Sequence, residues 1–367
     1  MKGQWLGDNS GTNPGYLILN IDEREKDFCG VAILHSQNSS LPAAQGFLVT
    51  KDKRKSGSLQ MSLAHLDPRT GQVLSPADLS IRYPAAIFPA TADVNYSVKQ
   101  THLILDWKTP IGTNGFATLP RSNADKASAL SSKIMSWQQF KNFANKQTYR
   151  QAIFRGQEQS LWRLRTAFHR AGRSDILRYQ LEDGPILWRM LSGRTRHLYD
   201  LSNADQNGAF LHLAQHHGYP TPLLDWSYSP YVAAFCAFRK IKRGGGQNHN
   251  IRIFVFDHLA WHKDWEMLPF LNMPRLNISV LEFAVLDNER TIPQQALSFI
   301  ANVDDIETYI QDKEKKKQTQ YLRAIDIPAR ERDKAMEDLR RMGITAGSMF
   351  PGLDGSCEEL KELRFSN

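Results

Sequence analysis

The sequence predicts an α+β chain: an N-terminal all-β unit, a barrel or sandwich, followed by a larger unit of mixed strands and helices. Three observations carry this. Residues 1–120 hold short apolar or alternating runs separated by turn signals, with almost no helical period. From residue 136 onward, helix-start signals alternate with strand-like runs. The length of 367 residues, 41% of them apolar and 23% charged, suffices for two cores and excludes a disordered chain.

The strands of the first unit follow in order: Tyr16-Leu-Ile-Leu-Asn-Ile21, Gly30-Val-Ala-Ile-Leu34, Gly46-Phe-Leu-Val-Thr50, Leu59-Gln-Met-Ser-Leu63 and Thr101-His-Leu-Ile-Leu-Asp-Trp107. Asn13-Pro-Gly15, Asp67-Pro-Arg-Thr-Gly71 and Pro110-Ile-Gly-Thr-Asn-Gly115 are turns between them. Strands at this spacing predict an antiparallel meander. Gly3-Gln-Trp5 has the Gly-x-Trp look of the first strand of a ligand-binding up-and-down barrel, where a Trp plugs one end. No catalytic cluster lies in this unit, so a binding, sensing or docking role is expected of residues 1–120.

Residues 121–135 are polar and read as a linker, and residues 136–367 as the second domain. Ser136 and Gln139 form a capping box that opens a helix with Trp137, Phe140 and Phe143 on one side. Ala152-Ile-Phe-Arg-Gly-Gln157 is a short strand that ends in an Arg beside a Gly. Such a strand end can present a guanidinium to a phosphate or carboxylate. A helix ending at Gly218 leads through Pro220 and Pro222 to a strand from Leu223 to Trp226. Ser229 then caps a helix with Pro230 at its first position and Val232, Ala233, Cys236 and Ala237 on its buried face. Asp312-Lys-Glu-Lys-Lys-Lys317 reads as a solvated loop, Gln320 to Ile327 as a strand, and Pro328 to Met342 as a helix closed by Gly343.

Composition narrows the function classes. Three cysteines, Cys29, Cys236 and Cys357, support neither a disulfide framework nor a Cys-rich zinc site. The N-terminus lacks a signal-peptide core, and the longest apolar run, Tyr231 to Phe238, is far short of the ~20 residues that span a bilayer. A cytoplasmic protein without membrane contact is expected. The net charge of +8 is uneven: residues 1–120 carry 11 basic and 10 acidic residues, the remainder 35 and 28, and Lys141–Asp200 alone 12 and 5. That bias fits a phosphate-rich partner or a solvated basic surface. His212 and His216 stand at the i, i+4 spacing of zinc ligands, but Leu213 occupies the position of a catalytic Glu and no third ligand follows at a recognisable spacing. No metal site is expected.

Phe154-Arg155-Gly156-Gln157, combined with Gln215-His-His-Gly218, Pro220-Thr221 and Leu223-Leu-Asp-Trp-Ser227 through Ser229-Pro230, resembles the FRG family, named for its Phe-Arg-Gly signature. The resemblance spans about residues 136–355 and includes Asn288-Glu-Arg290 with Gln294-Gln295, Met342-Gly-Ile-Thr345 and Phe350-Pro-Gly-Leu-Asp354. It departs at Ala296, where the family pattern has Gly, and at Ser298, where it has an aromatic. More remotely, the same segments resemble the mono-ADP-ribosyltransferase superfamily, with Gln295 where a Glu is expected.

These resemblances imply an ADP-ribosyltransferase-like domain, a split mixed sheet with helices, that takes NAD as co-substrate. Arg155, Asp225 and Gln295 would be the catalytic set. Arg155, Gly156, Gln157, His216, Trp226, Ser227, Ser229 and Arg290 would hold the cofactor. Trp226, Tyr219 or Tyr228 would wall the nicotinamide, Asp225 would polarise a ribose hydroxyl or act as base, and Glu282 and Glu289 are substitutes for the missing Glu. A bacterial toxin or anti-phage effector is implied, modifying nucleic acid, RNA ahead of DNA, with an antitoxin or chaperone as partner. The alternatives are a nucleotide- or RNA-binding module without chemistry and an NAD glycohydrolase. On the residues alone, each position has a structural rival: Asp225 as a turn cap or partner of Arg155, Trp226 as core, His216 as a helix end satisfied by backbone.

Overall fold

The computed structural model describes residues 1–38, 40–244 and 248–365. Of barrel and sandwich, the first unit is a barrel. Its strands are β1 (Gly3–Gly11), β2 (Gly15–Glu23), β3 (Phe28–Ser36), β4 (Ala43–Val49), β5 (Ser56–Leu66), β6 (Thr91–Val98), β7 (His102–Lys108) and β8 (Asn114–Pro120). Each pairs with the next, and β1 closes on β8 through Asn9↔Ala117 to Gly11↔Gly115. At that seam Gly11 has φ +119°, and a Cβ there would meet the Asn114 carbonyl oxygen at 2.4 Å, so the closing corner needs glycine.

The two halves of the barrel wall differ in pattern. On β5 to β8 inward Leu59, Met61, Val94, Tyr96, Leu105 and Leu119 alternate with outward residues that are mostly polar, Ile104, Phe116 and Pro120 being apolar, as expected for a sheet with one wet face. On β2 and β3 both faces are apolar. Leu17, Leu19 and Ile21 point inward, while Ile18, Val31 and Ile33 pack outward against Leu177 and Leu276 of the second unit. The near-continuous run from Tyr16 to Ile21 is the sequence mark of a wall buried on both sides.

Polar bonds fix the same interface. Asp22, 0% exposed, accepts from Arg173 Nε at 2.5 Å, Ser174 N at 2.7 Å and Asp175 N at 3.2 Å. Gln4 donates to the Asn302 carbonyl at 2.8 Å and accepts from Asp304 N at 3.0 Å.

The second unit is built on a mixed sheet of β9 (Ser132–Ile134), β10 (Ile153–Gln157), β11 (Leu223–Ser227), β12 (Asn250–Phe256), β13 (Ile278–Leu281), β14 (Ala296–Ala301) and β15 (Leu322–Pro328), in the order β13-β14-β11-β10-β12-β15-β9. Only the β15–β9 pair is parallel. Helices Trp137–Ala144, Pro230–Phe238 and Arg332–Arg341 cover one face with Trp137, Phe140 and Phe235. Trp226, Phe254, Phe256, Trp261 and Phe299 fill the other. The capping box at Ser136 forms as expected, with Gln139 N donating to Ser136 Oγ at 3.2 Å and Ser136 N to Gln139 Oε1 at 2.8 Å.

Two segments depart from the sequence reading. The 121–135 stretch is docked: it supplies β9 at the sheet edge, and Ser128 Oγ donates to Glu307 and accepts from Arg252. Asp312–Lys317 is the end of the helix Ile306–Lys317, where its lysines suit the negative pole of the helix, and Lys313 lies 4.2 Å over the Trp265 ring. Among the described residues, no helix is long and apolar enough to cross a membrane.

Candidate active site in the split sheet

β10 and β11 touch through one pair, Phe154↔Ser227. Beyond it they part: Arg155–Gln157 stay on β12, and Leu223–Trp226 stay on β14. The parting leaves backbone groups facing a gap, and these need partners. Arg155 provides one, Nη1 donating to the Asp225 carbonyl oxygen at 2.5 Å. A cavity of about 260 Å³ opens there, lined by Arg155, Arg170, Gln215, Tyr219, Leu224 and Asp225.

Asp225 lines this cavity, and the two imidazoles that flank its carboxylate lie outside the lining. Helix Ala204–His216 presents these imidazoles to the carboxylate, His212 Nε2 at 3.7 Å and His216 Nε2 at 4.0 Å. Ser298, opposite Asp225 on β14, donates from Oγ to Oδ1 at 3.2 Å. Burial alone would raise the Asp225 pKa, but His212, His216, Arg155 and the Gln215 side chain together hold it below the usual carboxylate range. Asp225 is therefore ionised at neutral pH. Burial pushes His212 the other way, down to about 4, and among the described residues its Nε2 has no hydrogen-bond partner. Desolvation lowers Arg155 to about 10 against the pull of Asp225, which leaves it a cation at neutral pH.

His216 is held from behind. Its Nδ1 lies 2.9 Å from Asn288 Oδ1, an acceptor, so Nδ1–H donates there and fixes the ring with Nε2 toward Asp225. Arg290 Nη1 donates to the His216 carbonyl at 2.7 Å. The facing nitrogens of His212 and His216 and a carboxylate oxygen of Asp225 lie within 4.8 Å of one another, so these three residues could close on a divalent ion. The sequence reading found no third ligand near the His pair. The fold brings one from β11, a separate element.

The predicted site residues divide into two groups. Arg155 and Asp225 line the cavity, His216 reaches Asp225 from outside that lining, and Arg290 donates to the His216 carbonyl. Trp226 does not belong: neighbouring strand residues face opposite ways, and with Asp225 in the cavity Trp226 is driven into the core, 4.6 Å from Phe299 between ring centroids. Ser227 donates to the Gln294 carbonyl at 2.7 Å, and Ser229 Oγ accepts from Val232 N at 3.2 Å, so both hold the turn and cap the next helix. Gly156 lets the helix Pro230–Phe238 lie on β10, since a Cβ there would meet the Ala233 carbonyl oxygen at 1.8 Å. Gln157 is buried on the same strand, away from the cavity lining.

Gln295 is the largest departure. It lies in a turn at φ +47°, three residues before Ser298, its carbonyl accepting from Tyr228 N at 3.1 Å, and it does not line the cavity. Register explains this: the β14 residue opposite Asp225 is Ser298, read from sequence only as a departure from the family pattern. Glu282 is engaged by Arg150 and the Tyr228 hydroxyl, each at 2.5 Å, and Glu289 is exposed. Of the three proposed aromatic walls, only Tyr219 lines the cavity. The basic stretch is also partly neutralised, with Lys141, Arg150, Arg163, Arg165, Arg173 and Arg178 each ion-paired to a carboxylate. The sequence reading leaves out Arg170, Asn288 as the partner of His216, and the role of Ser298. Asn288 stood within a quoted motif and was the available signal.

A family model for the FRG domain matches residues 150–245, a narrower span than the motifs suggested but one that holds Arg155, His212, His216 and Asp225. No curated protein matches the chain.

Proposed function

We propose, from the premise that this chain carries an FRG domain, that the split-sheet cavity binds NAD and that the protein transfers its ADP-ribose group to nucleic acid, RNA ahead of DNA, as a toxin or anti-phage effector. The observation that carries the reading is the Asp225 carboxylate, kept ionised between two imidazoles and a guanidinium at the wall of a polar cavity. Core packing does not require that combination, and strongly perturbed titratable groups in a cleft mark chemistry more often than structure.

In this reading Arg155 and Arg170 bind the pyrophosphate and Tyr219 packs against a ring of the substrate. The bond from ribose C1′ to the nicotinamide nitrogen breaks, and its electron pair leaves with nicotinamide. An acceptor hydroxyl forms the new bond to C1′, and Asp225 takes the hydroxyl proton as general base. His212 and His216 flank that carboxylate. Asp225 replaces Gln295 in this role, since an amide cannot accept the proton and Gln295 lies outside the cavity. Arg170 also lines a second cleft of about 240 Å³, with Lys2 and Arg121, where barrel and sheet meet; Arg165 in the same lining is paired to Asp125 and Asp304. Lys2, Arg121 and Arg170 are the cations this cleft offers to a strand leading to the site.

A second reading, nucleotide or RNA binding without turnover, is favoured by one observation: a donor of Arg155 is already engaged by the Asp225 carbonyl. Labelled NAD incubated with RNA, DNA, protein and buffer alone separates the readings. Label carried into RNA by the wild type, and reduced about 100-fold or more in a folded Asp225→Asn variant, is the expected result. Free ADP-ribose without acceptor identifies a glycohydrolase, and saturable binding without product identifies a binding module. No product and no binding would end the NAD reading.

A further inference from the structure

We infer that the barrel is a receptor for a neutral, largely apolar small molecule, held inside the strands and separate from the FRG cavity. An eight-stranded barrel has an interior just wide enough either to be filled by its own side chains or to hold one small ligand. Here both occur, at opposite ends. Trp5, Ile21, Phe28, Leu103 and Leu119 fill one end, and the Trp5 indole donates to the Met1 carbonyl at 2.8 Å. Toward the other end the inward positions are small: Ala32 on β3, Ala44 and Gly46 on β4, and Ala92 on β6. They leave a cavity of about 390 Å³, room for roughly a dozen groups the size of a water molecule at ~30 Å³ each. Protein interiors are close-packed, and voids much larger than a water are few.

The walls state the chemistry of the occupant. Leu17, Leu34, Leu48, Met61, Val94 and Trp107 dominate them, and among the described residues no Asp, Glu, Lys or Arg side chain lines the cavity. A phosphate, a carboxylate or an ammonium would enter without a counter-charge, at a large desolvation cost. A neutral ligand loses nothing. Polar side chains are a minority of the wall: Asn13, Ser36, Thr109, Thr113, Asn114, Tyr96 and the buried His65, whose ring lies 4.9 Å from that of Phe88. They offer neutral hydrogen-bond partners to a hydroxyl or carbonyl of the ligand.

The mouth is apolar as well. Ile87, 77% exposed, and Ile111, 42% exposed, both line the cavity at its rim. Ile87 and Phe88 belong to the long β5–β6 connection, whose helix Pro76–Arg82 buries none of its residues. Exposed isoleucines around an apolar cavity suit an entrance, and they serve no core.

The full chain tests this with N-phenyl-1-naphthylamine, a neutral fluorescent probe, displaced by a homologous series of n-alkan-1-ols. Saturable binding of one probe per chain is expected, with alcohol affinity rising with length to a cut-off set by the cavity. Ala44→Phe, which fills the cavity, should weaken the probe at least tenfold and shorten the cut-off. Leu34→Ala, at a half-buried wall position, should lengthen it. Asp225→Asn should leave probe binding unchanged, which separates this inference from the NAD reading. Absence of saturable binding, or a cut-off unmoved in every folded variant, would overturn it. If Ala44→Phe does not fold, Leu34→Ala alone decides.

Discussion

The chain holds two cavities made of the same material in opposite ways. One is enclosed by strands that all pair, so its backbone groups bond to one another and its lining can be uncharged and largely apolar. The other exists because two neighbouring strands stop pairing after one residue, and the groups left facing the gap draw in a guanidinium, a carboxylate and imidazoles. A closed ladder makes a solvent for hydrocarbon, and a broken ladder makes a site for charge. The difference lies in backbone accounting before it lies in side chains.

The largest effect should come from breaking the junction between the two regions. Asp22→Ala leaves Arg173 and two backbone N–H groups without their buried carboxylate, and should cost about 3–5 kcal/mol. Urea unfolding followed by barrel and sheet tryptophans should then show two transitions where the wild type shows one. A smaller change tests the broken ladder. Arg155→Lys keeps a cation but loses the fork that reaches the Asp225 carbonyl, and should weaken NAD binding roughly tenfold with alcohol binding in the barrel unchanged.

Next comes a pH effect confined to the sheet unit. His169 is fully buried, with Nδ1 on Thr166 Oγ1 at 2.7 Å, and burial pushes its pKa down to about 3. Below the unfolded value near 6.5 the unfolded chain binds a proton that the folded chain does not. The stability tied to the neutral ring, full above that value, is therefore lost as pH falls, at about 1.4 kcal/mol per unit. In His169→Gln the loss between pH 6.5 and 5 should shrink by roughly 2 kcal/mol in paired denaturant titrations. The smallest effect belongs to Gln295→Glu. A residue outside the cavity should change NAD turnover by less than about twofold, and a large gain would return it to the catalytic set.

Much of the fold was legible because it rests on local rules. Alternation marked the barrel strands, and Ser136, Ser229 and Pro230 marked helix starts that formed where expected. β6 and β8 escaped notice although Val94, Tyr96 and Leu119 face inward; Ala92, Gly115 and Ala117 shorten the apolar signal of each strand, and the smallness of Ala92 helps to open the cavity. The position of Trp226 could have been read from strand parity once Asp225 was assigned to the site. The meeting of Asp225 with Ser298 could not, since it depends on the β11–β14 register across a long, irregular connection. The His pair with Asp225 needed the packing of a helix on a strand. The lysines of Asp312–Lys317 looked like loop because charge dominates that segment, although Tyr309 and Ile310 one turn earlier anchor it to the core.

β2 and β3 have no wet side, and this sets the mechanics of the barrel. Their inner residues line the cavity, while Ile18, Val31 and Ile33 are clamped against Leu177 and Leu276. That half of the cylinder is braced from outside and cannot widen without unpacking the neighbouring unit. Across the barrel, Gln60, Ser62, Asp93, Asn95 and Thr118 are exposed, with Gln60 bonded to Asp93 and Asn95 to Asp106 along the barrel's own wall. A guest of varying girth would press toward that solvent side, so the cylinder is a vessel with one braced wall and one unbraced wall.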